Sequence, residues 1–271
     1  MSEQLLAAYD RDLRGGFEDP DTVREYDGPL LRISGGHQGY LSGPPDLGVR
    51  GAELDALIAR QLAHFARLGQ GVLWKVRGHD RPTELPQRLA AAGFVAGRQS
   101  TVLVGHADEL AGEPTPTDGV TLRWTREAAD AERFAALQTA IWGQDLGFLA
   151  ELLTGQLAAR PDGAGVLLAE AADGTLVSAA WVLLRPGTEF ATLLGGSTLP
   201  EWRGRGVYRA LVAHRARFAQ QRGHRYVQVD ASPDSAPILR RLGLRPITTS
   251  TPYTWTPPPP PAGGVPRPPG G

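Results

Sequence analysis

The sequence predicts an α/β protein built on a mixed, mostly antiparallel central sheet flanked by helices. Two observations carry this prediction. Apolar residues follow a helical period in some segments and strand-like runs in others, and an Asp-Gly pair at 173–174, a frequent hairpin turn, separates two apolar runs. A hydrophobic content of 41% is ample for a packed core, and 271 residues suggest one large domain or two smaller ones.

The second half of the chain gives the clearest order of elements. It reads strand, two helices, three strands, helix, strand, short helix and strand, which is the pattern of a layered α/β fold around one sheet. In chain order the predicted segments are a strand at 120–124, helices at 127–141 and from 148, two strands around 172–174, a strand at 190–198, a helix ending near 221, a strand at 225–230, a short helix at 236–242 and a last strand reaching 255.

Proline and glycine mark two boundaries. Residues 112–119 (GEPTPTDG) predict a linker, and the proline-rich residues 257–271 predict a disordered tail, because proline cannot donate a backbone hydrogen bond. The linker separates residues 1–111 from residues 120–256. The first part weakly repeats the second: 63–76 resembles 216–229, and 89–94 resembles 239–244. A duplicated fold and a chance similarity both remain open.

Composition argues against several functions. The chain has no cysteine, so disulfides, thiol nucleophiles and cysteine-ligated metals are excluded, and its six histidines show no metal-ligand spacing. A net charge of −1 gives no general attraction to nucleic acid. The first residues lack a secretory signal pattern, and no apolar run reaches membrane-spanning length. We therefore expect a cytoplasmic protein without metal, nucleic-acid or membrane partners.

The turn EWRGRGVYRAL, residues 201–211, concentrates arginine and glycine between a predicted strand and a predicted helix. Backbone amides at a helix start lack intrahelical acceptors and bind phosphate readily. Glycine permits the close approach, and Arg203, Arg205 and Arg209 add charge. The turn lacks the lysine of a Walker loop and the third glycine of a dinucleotide fingerprint. It predicts another kind of phosphate cradle, or else a plain surface turn.

These residues resemble the acyl-coenzyme A loop of the GNAT superfamily of N-acetyltransferases. The family pattern is Arg/Gln-x-x-Gly-x-Gly/Ala between the fourth strand and the third helix. Arg203 and Gly206 match it, and Tyr208 stands in place of the final small residue. The resemblance extends over about 120–255 and includes the order of strands. It implies a GNAT-like fold and a catalytic domain at 120–256, with residues 1–111 as a degenerate copy or supporting domain of a tandem form.

The resemblance also implies a binding site for acetyl-CoA. The backbone from Gly204 to Arg209 would hold the pyrophosphate, and the strand end would pair with the pantetheine arm, helped by a bulge at Gly195-Gly196. Ser232 stands where many family members bind the coenzyme through asparagine. The predicted cofactor-binding residues are Gly196, Ser197, Thr198, Arg203, Gly204, Arg205, Gly206, Val207, Tyr208, Arg209 and Ser232.

The catalytic residues are less clearly marked. Many family members place a tyrosine acid in the last helix, where this chain has Leu239. Tyr208 and Tyr226 are the alternative acids, and Asp230 at the end of a strand is the candidate base, with Glu170 as a second possibility. We select Tyr208 and Asp230. Acceptor-binding elements in the family correspond to residues 141–148, where Trp142 is expected to pack in the core and Asp145 could attract a cationic amine.

The function that follows is transfer of an acetyl group from acetyl-CoA directly to an amine of a small molecule or peptide. A different class stays open: an acyl-CoA-binding or regulatory module that has lost turnover, which the missing tyrosine favours. The sequence leaves monomer and dimer open and does not identify the acceptor.

Overall fold

The computed structural model describes residues 2–16, 22–112 and 119–258. Most of the predicted linker (113–118) and nearly all of the predicted tail (259–271) lie outside the described residues. Within the described chain, no helix combines the length and the apolar character needed to cross a bilayer.

The described residues form helices and strands in mixed order, and a short 3-10 helix at Pro200–Trp202 precedes one of the helices. The helices are α1 (Ser2–Leu13), α2 (Gly51–Leu68), α3 (Leu85–Ala91), α4 (Ala107–Leu110), α5 (Ala128–Trp142), α6 (Phe148–Ala159), α7 (Val207–Gln220) and α8 (Ala236–Arg241). The strands are β1 (Thr22–Asp27), β2 (Leu30–Gly35), β3 (Gly39–Ser42), β4 (Val72–Arg77), β5 (Val95–Ala96), β6 (Ser100–His106), β7 (Val120–Thr125), β8 (Ala164–Ala171), β9 (Leu176–Leu184), β10 (Phe190–Thr198), β11 (Tyr226–Ala231) and β12 (Arg245–Trp255).

The predicted order of elements after residue 119 is confirmed. The elements follow one another as expected, in the order β7, α5, α6, β8, β9, β10, α7, β11, α8 and β12. β8 and β9 form the predicted hairpin, in which Gly174 takes a positive φ of 83° and the Asp173 carboxylate accepts the Thr175 amide at 2.9 Å. The predicted class, a mixed and mostly antiparallel sheet flanked by helices, is likewise confirmed.

The described chain divides into two compact units. The larger contains 2–16, 77–79, 98–112 and 119–251. Its strands are ordered β12, β6, β11, β10, β9, β8, β7, and only β10 and β11 pair in parallel. The core on one face joins α7 and α8 to β9, β10 and β11, and the core on the other face joins α5 and α6 to β8 and β9.

The smaller unit contains residues 22–76, 80–97 and 252–258. Its strands run in the order β1, β2, β3, β4, with β3 and β4 parallel and the other pairs antiparallel. β5 pairs with Tyr253 and Thr254 near the end of β12. Its core gathers α2 and α3 around Phe65 and Trp74, which are almost fully buried.

These units differ from the predicted division at 112–119. β6 belongs to the larger unit because it pairs with β11 from Tyr226↔His106 to Ala231↔Thr101. The last residues of β12 belong to the smaller unit, where they pair with β5. Domains at 1–111 and 120–256, joined by a linker at 112–119, stay a prediction.

Candidate functional site

The site begins where β10 and β11 stop pairing. Their registered pairs run from Phe190↔Tyr226 to Thr192↔Gln228, although β10 continues to Thr198 and β11 to Ala231. The register of β10 against β9 also shifts between Leu194 and Ser197, and Gly195 has a φ of +55°. The expected bulge at Gly195-Gly196 is therefore confirmed, and it lies beside the opening between two parallel strands.

The arginine-glycine turn brings β10 to the start of α7. Gly204 and Gly206 adopt φ values of 75° and 86°, which side chains disfavour, and a Cβ on either residue would meet no other atom within 4 Å. Their backbone conformation, and not lack of space, requires glycine. Among the described residues the amides of 204–206 donate no hydrogen bond, and those of 207–209 lie in the first turn of α7. The turn presents free donors.

A cleft of about 560 Å³ joins the bulge, the turn and the loop after β11. All of the predicted cofactor-binding residues line it except Arg205, whose guanidinium lies 4.6 Å from the centre of the Trp202 ring. The lining residues are Arg98, Ile141, Trp142, Gly196, Ser197, Thr198, Trp202, Arg203, Gly204, Gly206, Val207, Tyr208, Arg209, Ser232, Asp234, Ser235, Ile238 and Arg241.

Positive charge dominates this lining. Arg98, Arg203, Arg209 and Arg241 all line the cleft, against one carboxylate, Asp234. Asp234 is paired with Arg98 at 3.2 Å. Sequence reasoning missed Arg98 because it precedes the predicted linker and was assigned to the first half. The pairing of β6 with β11 and β12 brings the segment before 112 beside the site.

Trp142 corrects the expectation that it packs in the core. Its side chain is 43% exposed and lines the cleft. The indole N–H is 3.1 Å from both Ser197 Oγ and Gln138 Oε1, and Gln138 Nε2 donates to the Gly195 carbonyl at 2.7 Å. This network fixes the side chain of Ser197 and ties α5 to the bulge. Trp142 follows Gln138 by four residues, a spacing that places both side chains on one face of a helix, and this spacing was the sequence signal for their contact.

Tyr208 lies where an acid could act. It lines the cleft, and its ring would come within 2.9 Å of a Cβ built on Gly196. Burial raises the pKa of its phenol, while Arg215 and a hydrogen bond with Ser235 oppose this shift. The phenol is therefore protonated at neutral pH. Tyr226, the other candidate, is only 9% exposed and packs against Phe190 and His106.

Asp230 lies on the strand that opens away from β10. Its neighbours in β11, Val227 and Ala231, pack against the α7–α8 core, so the alternation of side chains points Asp230 to the opposite face. Gln228 Nε2 donates to its carboxylate at 2.7 Å. Asp230 is not among the residues that line the cleft.

Glu170 is a poor base. Arg123 and Arg133 bind its carboxylate at 2.7 and 2.5 Å, and their hydrogen bonds hold the pKa of Glu170 below its usual value. It is tied to a charged cluster with Asp130 and does not line the cleft.

Leu239, in place of the family tyrosine, is fully buried in the core. The described residues hold no group of three histidine or acidic side chains placed to bind a metal.

The sequence and the fold of this chain are similar to those of known acetyltransferases. Residues 115–231 match the family model described as an acetyltransferase (GNAT) domain. No curated protein matches the chain. A GCN5-related N-acetyltransferase from Kribbella flavida is similar in structure, with a TM-score of 0.67 and 18% identity over 94% of this chain and 95% of that one.

Two further solved structures show the same fold. One is a tandem GNAT protein from the clavulanic acid biosynthesis pathway, with a TM-score of 0.60 and 17% identity over 89% of this chain and 85% of that chain. The other is a GCN5-related N-acetyltransferase from Sphaerobacter thermophilus, with a TM-score of 0.59 and 17% identity over 94% and 85%. The resemblance to the GNAT superfamily is thus confirmed: residues 115–231 match its domain model, and the described chain has the fold of these GNAT structures. Its length also fits a tandem form.

Proposed function

We propose that this protein transfers an acetyl group from acetyl-CoA to an amine of a small molecule or peptide. The observation that carries the proposal is the continuity of one cleft from the β10 bulge to the unpaired amides before α7. A donor with a diphosphate at one end and an acyl group at the other matches such a cleft.

The residues at the turn fit the diphosphate of the coenzyme. Free amides from Gly204 to Arg209, together with the positive end of the α7 dipole, would bind its oxygens. Arg203 and Arg209 would add charge-assisted hydrogen bonds. Residues 196–198 follow the bulge, where β10 has no registered partner in β11, and would pair with the pantetheine arm. Ser232 would contribute its hydroxyl, as predicted.

Acetyl-CoA, when bound, supplies an activated acyl group and a thiol leaving group. Tyr208 would hold the proton that the departing thiolate takes, because its phenol, whose pKa burial raises further, is protonated at neutral pH. Asp230 would accept a proton from the acceptor amine at the opposite face of the sheet. Trp142 and Asp145, at the end of α5 and in the loop after it, would bind the acceptor.

Substitution of Tyr208 tests the chemistry. Loss of a general acid typically costs about 10²–10⁴ in rate, so Tyr208→Phe should lower the release of free thiol from acetyl-CoA, with a panel of amines, by about 100-fold. Calorimetry should show that it still binds acetyl-CoA. Tyr226→Phe is the matched control, because Tyr226 is packed outside the cleft.

The same assay separates catalysis from binding alone. Saturable binding without thiol release across a broad panel would favour the non-catalytic acyl-CoA-binding module, as Leu239 in place of the tyrosine suggests. No binding of acetyl-CoA at all would refute both. Residues 1–111 as a degenerate copy or supporting domain, and a cytoplasmic location, remain part of the proposal.

A further inference from the structure

A positively charged side chain is buried in the larger unit without a negative partner. Arg215 on α7 is only 1% exposed. Its Nε donates to the Leu211 carbonyl at 3.0 Å, and its Nη1 lies 3.1 and 3.3 Å from the carbonyls of Trp181 and Leu194. Among the described residues no carboxylate pairs with it, and Nη2 has no hydrogen-bond partner. An unpaired buried charge is costly, so its position calls for an explanation.

The guanidinium lies directly behind the cleft wall at the bulge. Leu194 and Trp181 form the last registered pair before the bulge, and Arg215 binds both carbonyls. Its Nη2 is 3.4 Å from the point that a Cβ on Gly196 would occupy, and the Tyr208 ring is 2.9 Å from the same point. Gly196 and Tyr208 both line the cleft. The charge therefore lies close to the backbone of one residue that lines the cleft and to the ring of another.

The charge persists at neutral pH and is not cancelled locally. Burial lowers the pKa of Arg215 to about 10, and Tyr208 is the titratable group that opposes this shift. Strands β9 and β10 face the guanidinium with backbone carbonyls, and α7 contributes Tyr208 and the Leu211 carbonyl. At the wall of a protein cleft, where the effective dielectric constant is lower than that of water, such a fixed charge acts more strongly on neighbouring groups than it would in solution.

We propose that Arg215 is an electrostatic element of the acyl-donor site, where its fixed charge stabilises the thiolate of bound CoA. This inference rests on the proposed function: with the diphosphate at 204–209 and the arm along 196–198, the sulfur would lie at the bulge end of the cleft. A permanent cation there would stabilise the leaving thiolate, which in many family members is protonated by the tyrosine that this chain replaces with Leu239.

The test titrates the thiol of CoA bound to the full chain. Calorimetry first establishes saturation, and the pH dependence of thiolate absorbance or of alkylation by iodoacetamide then gives the thiol pKa. We expect a thiol pKa at least about one unit lower than that of free CoA, which is a tenfold larger thiolate-to-thiol ratio below both pKa values. Arg215→Met should raise it by about one unit, and Arg215→Lys should largely keep it low.

Two controls make the result specific. Arg222→Met removes an exposed cation just beyond the end of α7 and should leave the thiol pKa unchanged. Tyr226→Phe changes a tyrosine packed outside the cleft and should also keep the low value. If Arg215→Met does not fold, Arg215→Gln, which removes the charge but keeps hydrogen-bond donors, takes its place. A wild-type thiol pKa equal to that of free CoA overturns the inference, as does a lowering that survives the loss of the charge at position 215.

Failure of this inference is distinguishable from failure of the proposed function. If CoA binds and its thiol pKa equals that of free CoA, the proposed acyl-donor site is retained. Arg215 then only supports the bulge through the Trp181 and Leu194 carbonyls. If CoA does not bind to the wild-type protein, the proposed function and the role of Arg215 both fail.

Discussion

Helices α2 and α7 begin at corresponding places in their two units, yet their N-termini are occupied differently. Each helix connects two strands that pair in parallel, β3 with β4 in the smaller unit and β10 with β11 in the larger. Each is preceded by a glycine-containing turn, and Gly51, the first residue of α2, and Gly206, just before α7, have positive φ values of 53° and 86°. The local architecture is shared, so the differences between the two turns report on function.

The turn before α2 is filled by the protein's own carboxylates. Glu84 accepts the Gly51 amide at 2.9 Å, and Asp46 accepts the Gly48 amide at the same distance. These backbone hydrogen bonds are the largest cause that holds the pKa of each carboxyl below its usual value. The turn before α7 has no such acceptor among the described residues, because the amides of 204–206 are unpaired.

The strands before the two helices also differ. β3 spans Gly39–Ser42 and pairs with β4 from Gly39↔Val72 to Leu41↔Trp74, almost to its end. β10 continues through residues 193–198 beyond its last registered pair with β11. A ligand arm can pair with a strand only where the neighbouring strand has moved away. An anion site at a helix start therefore needs both an open strand edge and uncapped amides, and among its described residues the first half offers neither before α2. This supports the proposal that it is a degenerate copy.

The largest effect should come from matched valine substitutions in the two turns. Gly206→Val forces a β-branched residue to a positive φ and so distorts the backbone that presents the free amides, and affinity for CoA should fall at least about tenfold in calorimetry. Gly51→Val imposes similar backbone strain, on the order of 1–2 kcal/mol, in the smaller unit. We expect it to lower the melting temperature without changing CoA affinity. Equal losses of affinity in both variants would remove the functional distinction between the turns.

Local sequence patterns were sufficient for most elements of the larger unit. These patterns act over a few residues each, and the structure has the expected element at each place. They are the turn residues Asp173-Gly174, the apolar run of Phe190–Thr198 and the glycines with positive φ. The cradle was predictable for the same reason. Its amides, its glycines and most of its arginines lie within one short turn.

Features that depend on pairing between distant segments were not predictable. β6 joins the larger unit through contacts with β11 that are more than a hundred residues away in sequence, and this brings Arg98 to the cleft. Trp142 looked like a core aromatic, because exposure depends on packing that periodicity does not encode. The interest of Arg215 lies in what surrounds it, since one more arginine in an arginine-rich helix carries no signal of its own.

A smaller effect should separate the arginines of the two turns. Arg209 lines the cleft, and among the described residues its side chain has no hydrogen-bond or ion-pair partner. Arg209→Ala should therefore weaken CoA binding by about three- to tenfold, with the loss shrinking as salt rises. Arg50→Ala is the counterpart before α2, where the guanidinium is held by Asp46 at 2.8 Å. Its affinity for CoA should match the wild type. Salt-independent binding in both variants would argue against an anionic ligand at α7.

The smallest effect should appear at the self-capped turn itself. Because the folded-state pKa of Glu84 lies below the unfolded value of 4.5, the cap stabilises the smaller unit above that pH and is lost as pH falls through the lower folded pKa. Glu84→Gln should accelerate hydrogen exchange of the Gly51 amide at pH 7, and this difference from the wild type should vanish in acid well below pH 4.5. Glu53→Gln, which removes a charge from the first turn of α2 without breaking that hydrogen bond, is the control. If both variants accelerate hydrogen exchange of the Gly51 amide equally, the interaction of charge with the helix dipole accounts for the effect. The hydrogen bond from Gly51 to Glu84 would then not protect the amide, and the carboxylate of Glu84 would not fill the place of an anionic ligand.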